Sequence, residues 1–191
     1  DVLLILDACR VDLIEGVENE YSFLDTPGTH TSLGSMSKEW LEANFTTDFP
    51  NQIKQTAYVT GNPYSEAVAD RNFRLLDEVW KYAWDDELGT IPPRPITDRA
   101  ISVMRNHNPE RLVVHYMQPH YPFIEDPDLH PGIDIDRFGN LPWDNVWEML
   151  RNGEVDRNRV LSAYEQNLRL VLDDVSILLE SIDADRVAIS S

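Results

Sequence analysis

The chain has 191 residues, enough for one domain with a proper core, and carries 34 acidic residues against 16 basic for a net charge of −18. A field of that sign repels nucleic acid and anionic membrane surfaces, which excludes both as partners. The single cysteine, Cys9, excludes an intrachain disulfide and a multi-cysteine zinc site. The only lysines are Lys38, Lys54 and Lys81, and the acidic charge is spread along the whole chain. With a full apolar complement beneath it, that surface suits a protein kept soluble in high salt. The apolar runs fall far short of a transmembrane span and no signal peptide is visible, so a cytoplasmic location is expected. The chain opens on a strand without an initiator Met and closes on another, and both ends read as cut from a longer protein.

Val2 to Leu6 is a run of five branched apolar residues, the pattern of a strand buried on both faces of a parallel sheet. Arg10 to about Val17 fits a short helix, and Tyr21 to Thr26 a second strand. The stretch from Pro27 to Ser37 is small and rich in hydroxyls. A helix from about Ser37 to Asn44 follows, with Ser37 as its N-cap and Trp40 and Leu41 on its inner face. Gln55 to Thr60 reads as a third strand, ending in the turn Gly61-Asn62-Pro63. Arg74 to Trp84 is either a helix carrying Leu75, Val79 and Tyr82 or an edge strand over Val79 to Trp84. Ile91 to Pro95 reads as a proline-rich linker, after which Thr97 caps a helix from Asp98 to Asn106. Arg111 to Met117 is a strong strand. Residues 124 to 142 hold five prolines and glycines among many acids and form an irregular excursion. Asn145 to Arg151 is a short helix. Asp156 to Ser181 is the longest, with an apolar stripe through Val160, Leu161, Tyr164, Leu168, Val171, Val175, Leu178 and Ile182. Asp185 to Ser191 is the last strand. The alternation gives an α/β protein with a mostly parallel sheet, in which the polar strand ends at Asp7, at Met117 to His120 and at Ser190-Ser191 converge on one edge.

Those ends carry the candidate chemistry. Asp7 closes the first strand and is either a metal ligand or the cap of the next helix. A hydroxyl at a helix N-terminus is a candidate nucleophile beside an anion site. Its bland alternative is a solvated loop that merely caps the helix. A divalent ion held by carboxylates would lower that hydroxyl's pKa and neutralise a phosphoryl or sulfuryl group. His120, set between Pro119 and Pro122, would bind the anion or protonate the leaving group. His30 could reach the site from its loop. His115 lies inside a strand and reads as packed, while His107 and His130 read as surface residues. Cys9 follows a buried strand without a partner base and reads as a small apolar group.

The segments Asp7-Ala8-Cys9-Arg10 with Asp12, Tyr116-Met117-Gln118-Pro119-His120-Tyr121-Pro122-Phe123, and Asp183 to Ser191 are similar, in this order, to the sulfatase-like branch of the alkaline phosphatase superfamily. The long helix with Tyr164-Glu165-Gln166-Asn167 resembles archaeal members, of a haloarchaeal type. The resemblance implies a three-layer α/β/α sandwich, a metal-binding Asp7 and an active-site His120. It also implies an Asp-His-Gly metal motif directly after Ser191. The sulfatase signature Cys-x-Pro-Ser-Arg is absent, so a formylglycine mechanism is not implied. Gly34 to Trp40 resembles the Gly-x-Thr-x-x-x-Glu-Phe region of lipoteichoic-acid-synthase-like transferases, which points to Ser35 as nucleophile with Ser37 second.

The resulting expectation is a three-layer α/β/α sandwich of the alkaline phosphatase type. Its activity is metal-dependent hydrolysis of phosphate or sulfate esters, of small molecules or glycans. Asp7 holds a divalent ion (zinc, manganese, magnesium or calcium), Ser35 or Ser37 attacks, and His120 serves the anion or leaving group. Arg10 binds charge or packs against the acidic surface. The alternatives are a transferase moving a phospho-group onto a glycan or lipid, and a non-catalytic binding protein on the same scaffold. Residues 1 to 191 alone are expected to turn over little or no ester.

Overall fold

The branched apolar runs become the strands of one sheet, and the stripes of period 3.6 become the helices that cover it. The structure, a computed structural model, describes residues 1–29, 31–129, 132–139 and 145–191. In chain order the elements are β1 (Val2–Leu6), α1 (Val11–Val17), α2 (Ser37–Asn44), α3 (Pro50–Lys54), β2 (Thr56–Thr60), β3 (Leu75–Glu78), α4 (Trp80–Ala83), α5 (Pro93–His107), β4 (Arg111–Tyr116), α6 (Val146–Asn152), α7 (Arg157–Ser181) and β5 (Val187–Ser190). The five strands run in the order β3-β2-β4-β1-β5. Every pairing is parallel.

Side chains alternate across a strand, so each strand serves two cores. Val2, Leu4 and Leu6 of β1, Ala57 and Val59 of β2, and Leu112, Val114 and Tyr116 of β4 face α5 and α7. There they meet Ile96, Ala100, Val103, Leu168, Val171, Leu172, Val175 and Leu178. The opposite set, Ile5, Tyr58 and Val113, packs on Leu41 and Phe45 at α2 and on Ile53 of α3. The result is a three-layer α/β/α sandwich: the alternation of elements gave its parallel α/β character, and the resemblance its three layers. A further apolar cluster ties Tyr121 and Phe123, just after β4, to Val146 of α6 and to Val160 and Tyr164 of α7.

Several local readings change. Tyr21 to Thr26 is not a strand: both edges of β1 are taken by β4 and β5, and Tyr21 instead donates to Asp173 on α7 at 2.9 Å. Arg74 to Trp84 divides into β3 and the short α4, with the strand at Leu75–Glu78 rather than over Val79 to Trp84. The supposed linker Ile91 to Pro95 supplies the first turn of α5. Pro93 and Pro95 are tolerated there because first-turn N–H groups have no intrahelical acceptor. Thr97 is therefore inside the helix and buried, and shares a 2.9 Å hydrogen bond with the Tyr116 hydroxyl. Among its described residues the irregular excursion carries two single 3₁₀ turns, at Pro127–Leu129 and Ile135–Arg137. His30 and His130 lie outside the described residues. No helix among the described residues is long and apolar enough to cross a membrane.

Leu168 is fully buried under the sheet, whereas Leu161 on the same helix is exposed. Leu168→Ala is expected to cost about 2–5 kcal/mol of unfolding free energy. Leu161→Ala should stay within about 0.5 kcal/mol of the parent. Urea denaturation of both variants checks this, and equal losses would contradict the assigned burial of α7.

Candidate active site

The alternation that puts Leu4 and Leu6 toward α7 puts Ile5 and Asp7 toward α2. In β4 the same rule turns Val113 and His115 to that side, and in β2 it turns Tyr58 and Thr60. Register then brings them together: Ile5 pairs with His115, and Thr60 pairs with His115 from the other strand. Asp7 stands one step past β1. Its N–H donates to the Tyr116 carbonyl at 3.2 Å, and its carbonyl accepts the His120 N–H at 3.0 Å. The next residue, Ala8, takes a left-handed φ of 58°, a conformation that a residue with a Cβ adopts at a cost. The Tyr164 hydroxyl on α7 donates to the Ala8 carbonyl and holds the chain there.

The Asp7 carboxylate caps no helix, since the N-cap position of α1 belongs to Arg10. It accepts from two side chains instead. Ser37 Oγ donates to it, 3.0 Å from Oδ1 and 3.2 Å from Oδ2. Asn62 Nδ2 donates to Oδ2 at 2.7 Å. Ser37 is correspondingly the first residue of α2 rather than its N-cap, which is Met36 without a side-chain cap bond. Ser35 is engaged elsewhere: its N–H and Oγ donate to Glu39 Oε2 at 2.9 and 2.7 Å. This reach-back from the third helical position resembles a capping box, and it holds the Glu39 carboxyl below its usual range. Gly34 lets the loop close on α2, because a Cβ there would meet the Trp40 backbone nitrogen at 2.4 Å.

His120 faces the same space. Its ring stacks on Tyr121 with centroids 4.6 Å apart, and Nδ1 donates to the Tyr121 carbonyl, which leaves Nε2 as the working nitrogen. The peptide bonds before Pro119 and Pro122 are both cis. Asn167, fully buried on α7, clamps this turn from below. Its Nδ2 donates to the carbonyls of Pro119, His120 and Pro122 at 3.3, 3.0 and 3.3 Å, and its Oδ1 accepts the Ile124 N–H at 3.2 Å.

A cavity of about 380 Å³ joins these residues. Asp7, Ser35, Ser37, His120 and Ser191 all border it, so the expected strand ends do converge. Trp40, Tyr64, Tyr121 and Phe138 give it aromatic walls. Arg10 is not among its lining. The guanidinium makes two 2.8 Å bonds to Asp12, and its side chain, 68 % exposed, borders a separate cavity of about 260 Å³ beside Cys9. Burial and the nearby Asp12 push the Cys9 thiol up to about 12, so it is no thiolate at neutral pH. His107 is exposed in the last turn of α5, as expected.

His115, Asn62 and Asn167 are site residues that the sequence reading passed over. His115 is packed, as expected, yet it also borders the cavity. Its Nδ1 lies 2.9 Å from the Tyr58 hydroxyl and its Nε2 lies 4.0 Å from Asp7 Oδ2. Counting by twos from His115 along β4 and from Asp7 along β1 would have put both on one face. Asn62 stands just past the end of β2, a fourth polar strand end on the same edge. Asn167 is the one amide on the buried stripe of α7, a position where a polar group needs partners.

As to a metal, Asp7, the Ser37 hydroxyl and His115 Nε2 form a mixed oxygen and nitrogen donor set that fits part of a divalent ion's coordination sphere. Among the described residues no group of three or more His, Cys, Asp or Glu side chains gathers to complete it. The remaining positions would fall to water and to oxygens of a bound ester. Comparison with family models, with curated proteins and with solved structures finds no match to this chain.

Burial lowers the pKa of His115 from its ordinary 6.5, with the Asp7 charge opposing in part. The unfolded chain takes up a proton as pH falls through about 6.5 and the folded chain resists it. Stability should therefore be full above that pH and decline below it. Denaturant melts between pH 7.5 and 5.5 should show this slope, and His115→Gln should flatten it. An unchanged slope in the variant would assign the decline to other groups.

Proposed function

We propose that this chain carries the nucleophile and part of the metal site of a divalent-metal-dependent hydrolase of phosphate or sulfate esters. The observation that carries the reading is the 3.0 Å hydrogen bond from Ser37 to Asp7 at a cavity that His120 also borders. Asp7 holds the hydroxyl proton of Ser37 toward itself, which turns the Oγ lone pairs to the cavity. A divalent ion at Asp7 supplies positive charge that lowers the hydroxyl's pKa and neutralises the ester oxygens. The bond from Ser37 Oγ to phosphorus or sulfur forms as the bond to the leaving oxygen breaks, and the hydroxyl proton passes to Asp7. His120, protonated on Nε2, gives that oxygen its proton. Water then adds its oxygen to phosphorus or sulfur as the bond to Ser37 Oγ breaks; Asp7 returns its proton to Oγ, His120 takes the proton of the water, and the inorganic anion leaves. The N-terminus of α2 adds its positive dipole end beneath the anion.

Ser37 takes precedence over Ser35 in this reading, because the Ser35 hydroxyl is committed to Glu39. Arg10 has no part in it, being paired with Asp12. The aromatic walls suit an ester with a flat or bulky organic group.

The test is an aryl phosphate and aryl sulfate panel, with and without a chelator, on the longest expressed product that carries residues 1–191. Free anion should be released in a chelator-sensitive way. Ser37→Ala should lower the rate about a thousandfold or more, as removal of a nucleophile does. Ser35→Ala, which removes one bond to Glu39, should stay within about tenfold. Full activity in Ser37→Ala, or indifference to the chelator, would contradict the reading. Appearance of the phospho-group on an added glycan or lipid alcohol, in place of free anion, would move the assignment to a transferase.

A further inference from the structure

The cavity has a one-sided charge balance. Among the described residues that line it there is no Lys or Arg, and Asp7 supplies its one formal charge when the histidines are neutral. A phosphate or sulfate ester brought beside Asp7 meets a like charge between aromatic walls, where repulsion is poorly screened. The imidazolium of His120 serves the leaving oxygen in the reading above, so a further cation between the ester and Asp7 would relieve the repulsion that remains.

A second, independent observation points to where. The His115 ring is 1 % exposed, and its Nε2 is buried with no hydrogen-bond partner. Buried nitrogens are ordinarily satisfied. The group that this one faces is Asp7 Oδ2, 4.0 Å away. That gap is too long for a direct hydrogen bond, which needs about 3 Å. A tetrahedral zinc ion with bonds of about 2.0–2.2 Å sets two of its ligand atoms about 3.4 Å apart, so the pair stands about half an ångström wider than such an ion requires and would close that far onto it. The far side of the ring is also prepared. Tyr58 stands 2.9 Å from Nδ1, and in the tautomer with the proton on Nδ1 its hydroxyl accepts that proton's hydrogen bond and Nε2 keeps its lone pair. A ligating histidine is ordinarily oriented in this way through its other ring nitrogen. Asp7 Oδ2 accepts from Asn62 at 2.7 Å and holds the longer arm of the Ser37 bond at 3.2 Å, so an ion there would displace that arm and leave Ser37 on Oδ1.

We propose that His115 Nε2 and Asp7 Oδ2 together hold one divalent ion, and that the imidazole ligand makes the site select zinc-like ions over magnesium and calcium. The inference rests on the reading above, in which Asp7 is a metal ligand, and adds to it a nitrogen donor and a metal class. Imidazole favours zinc and its neighbours, whereas all-oxygen sites suit magnesium and calcium.

The experiment is calorimetric titration of the chain with Zn²⁺ and with Mg²⁺, with Co²⁺ absorption as the optical probe, for the parent, His115→Gln, Asp7→Asn and, as a surface control, His107→Gln. The parent should bind Zn²⁺ about tenfold or more tighter than Mg²⁺. His115→Gln should lose that preference and change the Co²⁺ spectrum, while His107→Gln matches the parent. An unchanged Zn²⁺ affinity and Co²⁺ spectrum in His115→Gln, with binding lost in Asp7→Asn, would overturn the His115 assignment alone. Parent-like binding in Asp7→Asn would overturn the functional reading as well. Should His115→Gln fail to fold, ¹⁵N-histidine NMR of the unmutated chain decides. Zn²⁺ should shift the His115 Nε2 resonance, and a resonance that does not move overturns the proposal.

Discussion

The hydrogen-bonded carboxylate of Asp7 is the contact on which the rest of this site depends. Its side chain is only 12 % exposed, so it needs donors, and it draws them from separate parts of the fold. Ser37 comes from the start of α2 and Asn62 from the exit of β2. The main chain of the same residue is tied to β4 through Tyr116 and to the following turn through His120. One acidic residue at the end of a central strand thus registers a helix N-terminus, two neighbouring strand exits and a histidine turn against one another. Each donor is weak alone, but a partly buried carboxylate left without them would be costly, which makes the arrangement cooperative.

Much of this was legible in the sequence. The run Val2 to Leu6 could only be a buried strand, and the stripe of α7 runs from Val160 to Leu178 as its spacing required, except that Leu161 faces solvent and Ile182 stands just past the helix. Asp7, Ser37 and His120 were recognisable because strand ends and helix starts in a parallel sheet open on one edge. What escaped was set by pairing rather than by local pattern. His115 looked like a core residue because its neighbours are apolar, and only the register with β1 shows that it faces Asp7. Tyr21 to Thr26 has strand composition, yet the sheet offers it no place beside β1. Pro93 and Pro95 looked like linker residues because proline breaks helix interiors, although it is at home in a first turn. The choice between Ser35 and Ser37 turned on which hydroxyl Glu39 engages, and spacing alone does not reveal that.

The charge of the whole chain and that of the cavity point the same way. A surface of −18 repels an anionic ester from a distance, and the cavity offers it no lysine or arginine among its described lining residues. Concentrated salt removes the first obstacle, since the screening length falls to about 3 Å at 1 M. The second obstacle is local and salt relieves it little, so a bound cation is the natural remedy. Most of the arginines are occupied in surface pairs such as Arg159 with Asp126 and Arg169 with Glu20 and Glu165. Such pairs contribute little to stability but leave few free cations near the site.

The most direct measurement is a crystal structure of the protein soaked with Zn²⁺ and orthovanadate, a mimic of the phosphoryl transition state. The account predicts vanadium bonded to Ser37 Oγ, a zinc ion on Asp7, and His120 within hydrogen-bond distance of the apical oxygen. Vanadate bonded to Ser35, or seated away from Asp7 altogether, would contradict it.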